Sequence, residues 1–222
     1  MPRLPGVVPA TTPLIPALPH SFEELQKLSG REVNNIRKRY GPTAMAHAIG
    51  TTAGEVSKDD ASRQQMAALD PLISASATKY DIPKSWINAV IQKESGGRTK
   101  AISPTGALGP MQLTHYVYLK NGPFHEEVNP FEPASAIDRG AHLLKLLGNK
   151  YHGDIEKVAA AYHDGEAKVD ALIEQNGSAW RVGLDAKLLR DYVQPIAAQV
   201  AESDHAVAAG QSIPRHLGGE RM

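Results

Sequence analysis

The tightest constraint on how this chain can fold is an acid placed at the end of an apolar helical row. Trp86 to Glu94 reads WINAVIQKE, and Ile87, Val90, Ile91 and Glu94 fall at i, i+3, i+4 and i+7. On a helix these four side chains share one face, so the carboxylate continues the row that must pack on a core. Pro83 suits the first turn and Gly96-Gly97 stop the helix, which leaves Glu94 in its final turn. Periodicity alone leaves two readings open. Either the last turn frays into solvent, or the carboxyl is carried into a cleft. In the second case desolvation and the helix C-terminus both raise its pKa, the condition a general acid needs near neutral pH.

The same period predicts a chain that is mainly α. Residues 21–40 are expected to form a helix with Phe22, Leu25 and Leu28 on one side, and a polar helix is expected over 43–57. Asp70-Pro71 reads as the cap and first turn of a helix carrying Leu72, Ile73, Ala77 and Tyr80. Further helices are expected at 134–147, burying Ile137, Ala141 and Leu144, and after Asp154, with Ile155, Val158, Ala159 and Tyr162 in one stripe. Asp185 caps another that runs through Leu188, Leu189, Tyr192 and Ile196 and bends at Pro195. Between the helices, 96–131 is rich in Gly, Pro and Thr, which suits loops and short β pieces.

Composition removes several classes. With 222 residues and 41% hydrophobic content the chain can bury an ordinary core. There is no cysteine, hence neither a disulfide framework nor a thiolate metal site. Net charge is zero, so no overall basic field argues for nucleic acid, and no specific nucleic-acid site is visible. No apolar run reaches the roughly 20 residues of a membrane span. Nine histidines form no metal-binding pattern: HExxH is absent and His163-Asp164 lacks further ligands at suitable spacing, so neither metal nor cofactor is expected. Prolines at 5, 9, 13, 16 and 19 interrupt what would be the core of a signal peptide, and residues 1–20 read instead as an extended arm.

The segment beginning at Glu94 is more specific. Residues 94–114 read ESGGRTKAISPTGALGPMQLT, with E-S-G-G, then Ser103, then G-A-x-G at Gly106, Ala107 and Gly109, then Met111, Gln112 and Thr114. N-P-F at 129–131 with Ile137 and Gly140, A-A-Y-x-x-G at 160–165, and Tyr192-Val193 come after it in order. In this series the chain resembles the soluble lytic transglycosylases, relatives of goose-type lysozyme that cut peptidoglycan, over roughly residues 66 to 200. The resemblance implies a lysozyme-like α+β domain over 61–202 with a short β/loop region after the catalytic helix. Around it would lie the Pro-rich arm 1–20, a helical extension 21–60 and a loose tail 203–222. Since every motif lies beyond residue 60, the segments before it are expected to be dispensable for catalysis.

By the same resemblance Glu94 is the catalytic acid, and Ser103, Met111, Gln112, Thr114 and Tyr162 bind substrate. Each residue also has a plainer reading. Ser103 sits in a Pro-Gly turn, where serine commonly bonds its own backbone. Met111 could be core filler or pack under a sugar ring. Gln112 is an amide between apolar neighbours that needs partners if buried. Tyr162 could be a structural ring, whereas the family's equivalent hydroxyl points at the catalytic carboxylate. The chain also departs from the pattern. Where relatives usually continue Y-N-A-G it has Tyr162-His163-Asp164-Gly165, with Ala136 in place of a frequent Asn and His115 in place of a frequent Pro.

Typical glycosidases need two carboxylates, and the motif supplies only Glu94. The resemblance therefore implies a non-hydrolytic cut of the MurNAc–GlcNAc β-1,4 bond that leaves a 1,6-anhydro end. Two alternatives stand beside it: a hydrolytic muramidase using Asp164 as second carboxylate, and a structural or wall-binding virion protein whose lytic domain has decayed. The expected partners are peptidoglycan glycan strands and, through the N-terminal extension, other virion proteins. With no signal peptide seen, the chain is expected to reach the host periplasm with a phage particle, or to leave by a specialised export system.

Overall fold

Ile87, Ala89, Val90 and Ile91 are fully buried, so the apolar row that ends in Glu94 lies at the centre of the molecule. They belong to α4 (Lys84–Glu94), and the computed structural model describes residues 16–51 and 60–210 around it. Three long helices pack on α4: α3 (Asp60–Tyr80), α6 (Pro133–Lys150) and α10 (Gln194–Ala208). Against α6 and α10 lies α7 (Ile155–Asp164), which Asp154 caps through Lys157 N–H as its sequence position requires; α8 (Glu166–Asn176) packs behind it. The architecture is mainly helical, and among the described residues β structure amounts to isolated bridges: Ile102 with Leu108, Leu108 with Leu113, Asn121 with Phe124.

Several boundaries differ from the sequence expectations, each for a physical reason. Asp70-Pro71 does not start a helix, because α3 begins ten residues earlier and runs through Pro71. Its first turns are held by tertiary contact: Ser62 Oγ donates to Gly96 O at 2.7 Å, and Gly97 lies against the backbone of Met66. The helix expected over 21–40 is two, α1 (Phe22–Gln26) and α2 (Gly30–Ala48). A capping box separates them, with Ser29 N–H donating to Glu32 and Glu32 N–H to Ser29 Oγ. Within α2, Gly41 takes φ 78°, which breaks the helical run before Pro42. The separate helix expected over 43–57 is thus the second half of α2 as far as Ala48, and 52–59 lie outside the described residues. Beyond Asp185 the chain passes through α9 (Ala186–Leu188) into a π turn at Leu189–Val193 and then α10. Pro195 has no N–H for the Asp191 carbonyl, and the helix widens into the π turn just before it. Helical structure continues to Ala208, so the first residues of the expected tail are helix; 211–222 lie outside the described residues.

The N-terminal helices are part of the same core. Leu25, Val33, Ile36 and Met45 are fully buried in one cluster with the residues of α4, α6 and α7. Asn129 of the N-P-F motif donates to the carbonyls of Leu25 and Leu28, Gln26 donates to Phe131 O, and a Cβ on Gly30 would sit 2.4 Å from Val128 O. A cut near residue 60 would therefore pass through packed structure rather than between separate bodies. No helix among the described residues is long and apolar enough to cross a membrane.

Candidate active site

Glu94 ends α4 at a turn fixed from three sides. Ser95, fully buried, donates its hydroxyl to Pro110 O at 2.6 Å and accepts from Gly97 N–H at 3.1 Å. Gly96 and Gly97 adopt φ of 65° and 88°, conformations that L side chains resist. The chain thus leaves the helix under its own last turn and is tied to the following loop. Within this frame burial raises the Glu94 carboxyl from 4.5 to about 6, against a hydrogen bond from Tyr192 and the charges of His163 and Lys93, which pull it down. Glu94 is half-buried and bonded by Tyr192, so the last turn of α4 does not fray into solvent.

Tyr192 donates its hydroxyl to Glu94 Oε1. Its own phenol is raised well above its ordinary value by burial and by Glu94, so it serves as a neutral donor across the working pH range. The π turn at Leu189–Val193 carries this side chain. Tyr162 was the tyrosine expected on the acid; its hydroxyl instead donates to Met111 O at 2.9 Å, tying α7 to the loop beneath the site, and its phenol too is raised by burial and by Glu94 nearby. From the sequence, Tyr192 stands in an apolar stripe and, with Val193, closes the motif series, with no role assigned at the acid. The available signal was a hydroxyl among Leu188, Leu189 and Ile196, which burial would oblige to find a partner.

The loop residues separate. Met111 is fully buried, with its sulfur where a Cβ on Gly140 would stand, so it is core filler and offers no surface to a sugar ring. Gln112 is half-buried and holds φ 48°, a left-handed conformation that is costly for a side-chain-bearing residue; its amide donates to Gly109 O at 2.9 Å and Ala101 O at 3.3 Å. The Ser103 hydroxyl accepts from Ala107 N–H at 2.8 Å and bonds Thr105, the local turn role. Thr114 is exposed at the start of the short helix α5 (His115–Tyr118). Gly109 holds φ 75° where a Cβ would come within 1.8 Å of Pro130 O. Asp164 is occupied elsewhere: burial would raise it, but hydrogen bonds from Lys168 and His163 outweigh burial and hold its carboxyl below the ordinary value. Among the described residues no group of three or more His, Cys, Asp or Glu is placed to hold a metal ion.

A carboxyl that exchanges its proton near pH 6, with one oxygen pinned by a neutral donor, is equipped to give a proton and take one back. Known proteins share this scaffold. Residues 71–181, half of the chain, match the family model of the transglycosylase SLT domain. The membrane-bound lytic murein transglycosylase C of Yersinia enterocolitica is 33% identical over 113 residues, 45% of this chain and 32% of that protein; its counterpart in Serratia proteamaculans is 30% identical over the same length. The chain therefore spans about a third of the length of these curated relatives. Among solved structures, the lytic transglycosylase Slt of Pseudomonas aeruginosa, an inactive glutamate-to-glutamine variant, superposes with TM-score 0.54 at 19% identity, covering 85% of this chain and 32% of that one. The 70 kDa soluble lytic transglycosylase of Escherichia coli gives 0.52 at 18% identity, covering 84% and 32%. Their agreement is one of fold, and with the match over half its length this chain belongs to the transglycosylase SLT domain family.

Proposed function

We propose that the protein is a peptidoglycan lytic transglycosylase that cleaves the MurNAc–GlcNAc bond without water, with Glu94 as its acid and base. The observation that carries this reading is the Glu94 carboxyl, raised to about 6 by burial and gripped on Oε1 by Tyr192. Because Oε1 accepts the phenol, Oε2 carries the proton that is given to the oxygen leaving C1 of MurNAc. The substrate's acetamido oxygen supports C1 as the bond breaks. Glu94, now a carboxylate, takes the proton of the MurNAc C6 hydroxyl, which closes on C1 and regenerates the acid. One carboxyl suffices for the cycle, and Asp164, bound to Lys168 and His163, is not required. Gln112, held in a costly conformation, and Ser103 and Thr114 on the same loop are proposed to bind the sugars, and Tyr162 to hold the loop against α7.

Mass analysis of muropeptides released from purified peptidoglycan tests this. Products lighter by one water than those of hydrolysis are expected, and reducing ends would overturn the non-hydrolytic step. Replacing Glu94 with Gln is expected to lower release by about 10²- to 10⁴-fold with the fold intact. Near-wild-type turnover would remove Glu94 from the role. A finer part of the proposal, resting on the Pro-rich residues 1–20, is local wall penetration as a virion component; mass spectrometry of purified particles should then find the chain, and particles without it would end that part.

A further inference from the structure

The Tyr192 ring is held on its other side by a group the mechanism has not used. The imidazole of His163, at the end of α7, lies 4.7 Å from the Tyr192 ring centre to centre, tilted by 59°. It is not a loosely placed side chain. Its Nδ1 is 2.8 Å from Asp164 Oδ1, and the other oxygen of Asp164 is bonded by Lys168 from the next helix, α8. A relay of fixed contacts therefore runs Lys168, Asp164, His163, Tyr192, Glu94, joining α8, α7, the π turn and the end of α4. Tyr192 is where the relay needs support. Its ring is buried in the core beside Glu94, and His163 is the ring that lies against it at the end of α7. A second ring packed against it restricts the arc its hydroxyl can sweep.

We propose that His163 is a positioning residue, clamped by Asp164 and Lys168, whose ring keeps the Tyr192 hydroxyl on Glu94 Oε1 and so keeps the acid's proton on the oxygen that faces the bond to be cut. The proposal rests on Glu94 being the acid. In this role His163 acts through Tyr192 and not on the transferred proton. It is nearly half exposed, so replacing it leaves the core undisturbed.

The test uses the full chain and soluble peptidoglycan strands, with release followed at several substrate concentrations. Replacing His163 with Ala is expected to lower kcat by about 5- to 20-fold with KM and melting temperature unchanged, the loss typical of a loosened orienting group. His163→Phe, which keeps a ring but not the Asp164 bond, should recover part of it, because the ring remains while its clamp is gone. In a Tyr192→Phe background His163→Ala should cost nothing further, since there is no hydroxyl left to aim. Loss of the same size in that background, no rescue by Phe, a rise in KM instead of a fall in kcat, or a His163→Ala enzyme at wild-type kcat would each overturn the role. The underlying reading fails separately. An active Glu94→Gln enzyme removes the acid and His163's role with it, whereas an inert Glu94→Gln enzyme beside an unimpaired His163→Ala enzyme removes only the latter.

Discussion

At the scale of residues, the raised Glu94 carboxyl makes two measurements informative. Folding holds its proton more tightly than the unfolded chain does, so between pH 4.5 and about 6 the native state binds more protons and its stability falls as pH rises. Above pH 6 the whole cost, at most about 2 kcal/mol, is present. Glu94→Gln cannot ionise and should therefore melt higher than wild type at pH 8 but not at pH 4; equal melting temperatures at both would show a carboxyl that is not desolvated. Activity falls in the same direction, since the acid must be protonated, and kcat/KM should fall as pH rises through about 6. The Tyr192 hydrogen bond pulls the carboxyl down, so Tyr192→Phe is predicted to shift that limb to higher pH while lowering the maximum roughly tenfold. An unshifted limb would mean that the phenol does not bond the carboxylate in solution. Of the site, Glu94 was legible because its carboxylate falls in register with Ile87, Val90 and Ile91 and opens the E-S-G-G series, although register alone left the fraying reading open. Tyr192 was not, because its approach depends on where the π turn ahead of α10 lies relative to the end of α4, and the two residues are ninety-eight positions apart in sequence.

At the scale of elements, caps and stops were readable and starts under tertiary control were not. Asp154 and Asp185 cap where their sequence positions require, since a cap bonds only within its own turn. The Ser29–Glu32 capping box was equally local and equally available in the sequence, yet the apolar side chains on both sides of it made one helix look continuous. Pro71 misled for the reverse reason. Proline is favoured in a first turn, but the contacts of Ser62, Gln65 and Met66 with the Gly96-Gly97 turn stabilise helix ahead of it. The loop after α4 offers a sharper test. Gly109→Ala must place a methyl on Pro130 O from a left-handed backbone, so it is predicted to cost more than about 1 kcal/mol and to lower activity by shifting the Met111-Gln112 turn. A variant that melts with wild type would show that the loop does not press on the N-P-F segment.

At the scale of the whole molecule, the N-terminal helices decide whether the domain stands. Leu25, Val33, Ile36, Met45 and Ile49 are buried, and each fully buried side chain of this size contributes about 1.5–3 kcal/mol, so together they rival the 5–15 kcal/mol that holds a typical domain. A chain starting at residue 62 is accordingly predicted to melt far lower or not to fold cooperatively, as read by circular dichroism, contrary to the dispensability expected from motif positions alone. A cooperative melt near the wild-type temperature would overturn that. The helical class, the acid at the end of its stripe, the glycine stops and the order of motifs were determined by the sequence itself, because each depends on interactions within a turn or two of the chain. Which tyrosine reaches Glu94, what Met111 faces, how far α3 extends and whether residues 22–49 belong to the core were decided only when distant segments packed. Those outcomes arise from the burial of surfaces on different helices, and no local pattern records which helix will lie against which.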